Sequence, residues 1–344
     1  MGGKDLAEKV WCSSWTLKRP DSLNWEFLFD MMSKFGFGTR WVRWMKSCVS
    51  SAKISVLVNG SPTPEFCPQR GLRQGDPLSP VLFNIGAEGL NILLSRAKEL
   101  GQIKGATVGS NGLRVTHLQF ADDTILFCDA NRVKVTNIKR ILSCFEIASG
   151  LKINYHKSVI CGVEVDEEPV QEFASSLNCL HQKLPLKYLG LPLGANPSRS
   201  TWKPVIDKFK HKLSTWKRRL VSFAGRLTLI KSLMFSLPIY YLSLLRIPAG
   251  VAKEIERLQS TFLWGGSDLR RKVHMVRWEV ITKNKKLGGL GVRGIKTLNQ
   301  CLLLKWWWRF GAKNQSLWKE VICAKYVPVD GKWFPKLIGK GSKL

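Results

Sequence analysis

Residues 113–128 read LRVTHLQFADDTILFC, two apolar-rich runs joined at Ala121-Asp122-Asp123. The β-branched and aromatic residues of LRVTHLQF and TILFC predict two strands, with a sharp acidic turn between them. Two adjacent carboxylates at such a tip are unusual. A turn needs only one Asp or Asn, and Asp122 and Asp123 repel each other. A divalent cation removes that repulsion, and hard cations such as Mg²⁺ favour carboxylate oxygen. Taken alone, the dipeptide reads first as a solvated turn, so its neighbourhood has to decide.

Upstream lies RGLRQGDPLSPVLFNI (70–85). Gly71 and Gly75 predict a flexible loop, Pro77 and Pro80 suit a helix start, and the apolar residues from Val81 to Leu94 predict a long helix. Before it, Asn24 reads as the N-cap of a helix reaching about Lys34, with Asp76 a further candidate cap. A short helix over 40–49 carries Trp41, Trp44 and Met45. Ile54 to Val58 then reads as a strand turning at Asn59-Gly60, with Glu65-Phe66 opening the return. Residues 1–20 give little pattern, and Pro20 interrupts the only candidate strand. Downstream of the hairpin, Asn131 opens an amphipathic helix that stops at Gly150. An acidic connector (164–172) leads to KYLGLPLG (187–194), then to helical patterns over about 201–216, 219–236 and 249–263. From about Ser267, basic residues mix with tryptophans, including Trp306-Trp307-Trp308; these three are expected to pack in a core or interface. The order predicts an α+β fold: an antiparallel sheet with helices, followed by a mainly α-helical region. The boundaries expected are a degenerate segment 1–20, the α+β domain 21–165, a helical region 166–265 and a basic, Trp-rich region 266–344.

The charge balance is extreme: 54 Lys+Arg against 25 Asp+Glu, a formal +29 over 344 residues. A fold so charged repels itself unless it meets a polyanion, and nucleic acid gains further from counterion release. Fourteen tryptophans accompany the charge and offer stacking surfaces. Arg218-Arg219, Arg270-Arg271-Lys272 and Lys283 to Lys286 are the densest cationic runs. The nine cysteines form no metal-spaced pair, which argues against zinc and against a disulfide framework. The start, MGGKDLAEKV, is no signal peptide, and the apolar stretch near Leu233 to Ile247 is broken by Ser236, Pro238, Ser243 and Arg246. The expectation is a reduced, intracellular protein of nucleus or cytoplasm with no membrane span; nothing in the sequence sets its oligomeric state.

FADD between two apolar strands, preceded by RQGDPLSP, resembles the reverse transcriptases of LINE-type (non-LTR) retrotransposons. SGLKINYHKS (149–158) is similar to the family's next motif and KYLGLPLG to its primer-grip element. LSTWKRRLVSFAGRLTLIKSLMFSLPIYYLSLLRIP and FLWGG…GGLG resemble the thumb and C-terminal region of plant elements. The resemblance runs from about residue 21 to the end and implies a partial polymerase palm followed by a thumb. It implies RNA-directed DNA synthesis on an RNA template and DNA primer from deoxynucleoside triphosphates. The metal would be Mg²⁺, with Mn²⁺ as a substitute, in two-metal phosphoryl transfer. Asp122 and Asp123 match the metal-binding, catalytic aspartates. Gln74 and Gly75 match nucleotide- and template-contacting positions, and Arg70 and Arg73 are candidates for template or phosphate. Lys152 or Lys157 matches the lysine beside the nucleotide phosphates; the sequence does not choose between them.

The family also supplies an earlier carboxylate, in a pattern Asp-x-x-Lys-Ala-(Phe/Tyr)-Asp. Here Lys18 and Asp21 match, and the first aspartate falls on Trp15, which cannot ligate Mg²⁺. The copy is therefore expected to be N-terminally truncated, to lack the central strand of its palm sheet, and to have little or no polymerase activity. Its alternative is a catalytically dead remnant that still binds nucleic acid.

Overall fold

The computed structural model describes residues 10–18, 20–109, 112–195, 198–215, 221–264, 276–312 and 316–326. Arg218, Arg219, Arg270, Arg271 and Lys272 lie outside them. Contacts divide the chain into two compact units, one reaching Leu189 and rejoined from Glu320, the other Gly190–Lys319. The sequence expectation instead drew its divisions at 165/166 and 265/266.

Unit 1 begins with β1 (Val10–Thr16), then α1 (Trp25–Lys34), α2 (Thr39–Ser50) and the small hairpin β2 (Leu57–Val58) and β3 (Ser61–Pro62). There follow α3 (Ser79–Glu99), β4 (Ala106–Val108), β5 (Leu113–Val115), β6 (His117–Phe120), β7 (Asp123–Asp129) and α4 (Arg132–Ser149). β8 (Val159–Val163), α5 (Glu167–Ser176), β9 (Leu180–His181) and β10 (Leu186–Tyr188) follow before the chain leaves the unit at Leu189. The main sheet runs β6-β7-β1-β8-β9, antiparallel except for the parallel β8–β9 pair.

The missing-strand expectation is corrected here. β1 is the middle strand of the sheet, paired with β7 from Val10↔Asp129 to Thr16↔Asp123 and with β8 on its other side. The sequence hid it because VWCSSWT is covered on both faces, so it shows no in/out alternation of polarity.

Side chains on successive positions leave opposite faces of a strand. One face of the sheet carries Trp11, Trp15, Leu126 and Ile160, packed with Leu28, Met32, Leu90, Phe145 and Phe173 from the helices. Burying a side chain such as Phe145 stabilises by about 1.5–3 kcal/mol, so this face holds the unit together. The opposite face carries a small cluster, Cys12, Ile125, Cys161 and Leu186, flanked by Tyr188. Helix ends follow their expected signals. Asn24 accepts the Glu26 N–H, Asn131 accepts the Val133 N–H, and α4 stops at Gly150 with φ 73°.

Unit 2 opens with β11 (Leu191–Leu193) and continues as α6 (Arg199–Thr215), α7 (Phe223–Leu229), a π turn over Ile230–Met234, α8 (Phe235–Leu244) and α9 (Ala249–Trp264). α10 (Trp278–Ile281), α11 (Ile295–Ala312) and the start of α12 (Leu317–Tyr326) follow. Its core gathers Trp202, Phe209, Ile230, Leu242, Ile255 and Phe262. The helical run Phe223–Leu244 is continuous despite Ser236 and Pro238, and is long and apolar enough to cross a membrane. Ile230, Met234, Phe235 and Leu242 are buried in the unit's own core. Of the tryptophan triplet only Trp306 packs as expected, donating to the Ser243 carbonyl at 2.6 Å; Trp307 and Trp308 face solvent.

Candidate active site

The β6–β7 hairpin closes between Phe120 and Asp123, leaving Ala121 and Asp122 as a two-residue loop. Ala121 sits at φ 51°, a left-handed conformation that costs a non-glycine residue about 1–2 kcal/mol. That geometry turns the chain sharply enough to put both carboxylates at the sheet's end. Asp122 is exposed, and its carbonyl accepts the Leu17 N–H at 2.8 Å. Asp123 is half-buried, with Oδ1 accepting the Thr16 hydroxyl at 2.8 Å.

Register assigns the neighbours. Thr16 stands opposite Asp123 and shares its face with Cys12 and Ile125. Trp15 stands opposite Thr124 and leaves from the helix-covered face. Its indole is buried, donates to Ser13 Oγ at 2.5 Å and meets Tyr155 edge-on at 6.0 Å between ring centroids. Burial, then the nearby Glu146 carboxylate, pushes the Tyr155 hydroxyl up to about 12. Position 15 therefore belongs to the core, and the side chain beside Asp123 is a hydroxyl. Sequence reasoning missed Thr16; the period-2 spacing of 12, 14 and 16 would have found it once β1 was accepted as a strand.

The other expected site residues divide into two groups. The Arg70–Gly75 loop is strapped to the segment just after β1, with the Gly71 N–H donating to the Leu23 carbonyl at 2.8 Å and the Leu72 N–H to the Pro20 carbonyl at 2.9 Å. Trp25 Nε1 adds a bond to the Gly71 carbonyl at 2.7 Å. Arg70, Arg73, Gln74 and Gly75 are all exposed, and among the described residues no hydrogen bond joins them to the hairpin. Asp76 accepts the Leu78 N–H at 2.7 Å in the turn ahead of α3; it is not the helix cap expected, because the N-cap position is Leu78, two residues on, and no side chain caps the helix. Lys152 and Lys157 are exposed as well. The Lys152 carbonyl accepts the Lys18 N–H at 2.7 Å and Ile153 bridges Leu17, so 122, 17 and 153 form one row across the strand ends. Lys157 lies in the turn entering β8, its N–H bonded to the Asn154 carbonyl at 3.0 Å. β10, which overlaps the start of the expected primer-grip stretch, covers the Asp123 face, and the Tyr188 hydroxyl reaches the Asp123 carbonyl at 3.5 Å.

The stretch that holds the Arg70–Gly75 loop and the paired-carboxylate hairpin matches a known family. Residues 20–219 fit the description "Reverse transcriptase (RNA-dependent DNA polymerase)". The chain belongs to the reverse transcriptase family. Among curated relatives, it is 36% identical over 148 residues to a putative ribonuclease H protein of Arabidopsis thaliana, covering 42% of this chain and 23% of that one. It is 27% identical over 287 residues to the transposon TX1 149 kDa protein of Xenopus laevis, covering 80% and 20%. To the Pol polyprotein of the type-2 retrotransposable element R2DM of Drosophila melanogaster it is 24% identical over 294 residues, covering 83% and 26%. It thus spans about a quarter or less of these relatives, and it is a reverse transcriptase domain of the kind found in LINE-type Pol proteins.

As a cation site, the hairpin offers two carboxylates and the Thr16 hydroxyl. Mg²⁺ is commonly held by one or two carboxylates plus substrate phosphates, so the donors fit one such ion. Among the described residues no third His, Cys, Asp or Glu gathers with them, so they do not fit a two-metal pair.

Proposed function

We propose that this chain is a polymerase-derived domain that holds an RNA template and a DNA primer but joins nucleotides slowly or not at all. The observation that carries this reading is Thr16, a neutral hydroxyl beside Asp123 where the chemistry calls for a further carboxylate. A divalent cation (Mg²⁺, or Mn²⁺ in its place) held by Asp122 and Asp123 would offset charge developing on the transferred phosphoryl oxygens. The chain's own groups do the positioning. Arg70 and Arg73 lie on the loop that would face template or triphosphate, and Gln74 and the side-chain-free Gly75 give a nucleotide close backbone approach. Lys152, at the strand ends beside the hairpin, and Lys157 are the cations available to the leaving pyrophosphate. Losing one charge-stabilising donor typically costs ~10²–10³ in rate, and a missing metal ligand is at least as severe. All nine cysteines are free, which supports a reducing compartment, nucleus or cytoplasm.

Primer extension by the isolated chain tests the reading, with Asp123→Asn as the blank. Expected is incorporation at or barely above the blank with either metal. Extension of most of the primer to the template's end by the unaltered chain, lost in Asp123→Asn, would defeat it.

A further inference from the structure

Helix α2 is exposed over almost its whole length. Only Val42, Met45 and Val49 turn toward the core, at the i, i+3, i+7 spacing of a single stripe. The remaining surface is sorted by chemistry. Going round the helix from that stripe come Trp41 and Trp44, 53% and 46% exposed, then Arg40, Arg43 and Lys46. The two indoles meet edge-on at 5.6 Å, and the Arg40 guanidinium lies 4.7 Å from the Trp44 ring centroid. α2 itself contains no Asp or Glu, and among the described residues Arg43 and Lys46 have no carboxylate partner. Lys46 also lines a cleft of about 950 Å³ that runs past Trp25, Phe29 and Phe66 to Arg70, against one carboxylate, Glu26. Cations and aromatic rings therefore continue from α2 to the base of the Gln74 loop.

We infer that α2 and this cleft bind an unpaired nucleic-acid strand, with bases stacking on Trp41 and Trp44 and phosphates meeting Arg40, Arg43, Lys46 and Arg70. Aromatic faces alternating with unpaired cations are how sequence-tolerant single-strand sites work, because every base has a π-face and every linkage a charge. A second copy of the chain is a poor occupant, since it carries the same +29. A duplex is also poor, since its bases are already stacked. The inference rests on the nucleic-acid reading above but needs neither the metal nor catalysis.

The test is fluorescence anisotropy with end-labelled 12-nucleotide oligo(U), oligo(dT) and a 12-base-pair duplex. It uses the full chain, Trp41→Ala/Trp44→Ala, and Arg43→Gln/Lys46→Gln. Since each stacked base contributes roughly a five- to hundredfold factor, the double tryptophan variant is expected to lose at least about tenfold affinity for both single strands. Duplex affinity is expected to move less than about twofold. The Arg43→Gln/Lys46→Gln variant is expected to flatten the salt dependence by about 0.7 per lost phosphate contact. Comparing RNA with DNA separates a template-side from a primer-side occupant. Equal single-strand affinity in folded Trp41→Ala/Trp44→Ala, checked by circular dichroism, overturns the inference and leaves the proposed function standing. So does a variant that changes only the sedimentation coefficient, which would make the face a protein interface. Absence of any nucleic-acid binding by the unaltered chain overturns both.

Discussion

Trp15 and Thr16 are adjacent in sequence yet answer to different solvents, one to the helix-packed core and the other to the Asp123 face. Restoring an aspartate at the sequence-aligned position should therefore do harm. Trp15→Asp removes a buried indole and leaves a charge without a partner, costing about 3–5 kcal/mol, a large share of a typical domain's stability. Thr16→Asp instead sets a carboxylate beside Asp123. Without metal, that variant should lose about 1 kcal/mol from repulsion and the missing hydroxyl bond. With Mg²⁺ at about ten times its Kd it should regain about 1.4 kcal/mol. Urea midpoints with and without Mg²⁺ check both, and a metal response in Trp15→Asp rather than Thr16→Asp would refute the register argument. His117 gives a second residue-level prediction. Its Nε2 meets Asn91 Oδ1 at 2.6 Å and its Nδ1 the Thr116 hydroxyl at 3.0 Å, a pairing that suits the neutral ring. Burial, then the Lys98 charge, holds its pKa below the usual value. The unfolded chain thus takes up a proton near pH ~6.5 before the folded chain does. Stability should fall as pH drops through that point and continue falling until the folded imidazole protonates. His117→Gln should flatten that slope between about pH 5 and 7, measured as denaturation midpoints.

At the scale of elements, the site depends on a strap between two loops that are far apart in sequence. A Cβ on Gly71 would lie 2.2 Å from the Asp21 carbonyl oxygen, and φ there is 83°. Gly75 has φ 91° but open space around it. Gly75→Ala should cost only conformational strain, about 1–2 kcal/mol, whereas Gly71→Ala must also push the strap open and should cost clearly more. Thermal melts rank the two, and limited proteolysis near Arg70 should accelerate only in Gly71→Ala; equal effects would mean the strap is not what holds the loop. The legibility of these elements follows from how local their signals are. The β6–β7 hairpin, the caps Asn24 and Asn131 and the Gly150 stop are written in residues two to four apart, and all were readable. β1 was not, because its pairing partners lie more than a hundred residues away and its two buried faces erase alternation. The same loss of local signal hid Thr16 as the residue facing Asp123. The exposure of Trp307 and Trp308 was also unreadable, because α11 is apolar around its circumference and offers no face to assign.

For the whole molecule, the surplus of positive charge separates a working binding domain from an inert product. The cations are spread over both units: Arg40, Arg43 and Arg70 in the first, Lys283, Lys285, Lys286 and Arg309 in the second, all exposed. A charge of +29 gathered into one fold raises the free energy of the folded state through self-repulsion, and a polyanion relieves it. Binding and stability should therefore move together with salt. A footprint of about six phosphates predicts a drop on the order of 10³ in affinity between about 50 and 200 mM salt. Over the same range the free chain should become more stable as its own repulsion is screened. Anisotropy titrations across that range, run beside thermal melts of the free and bound chain, should give two trends of opposite sign. Charge that serves only solubility would show the melting trend and no steep binding trend, and a chain held together by nucleic acid in no way at all would show the same Tm with and without oligonucleotide.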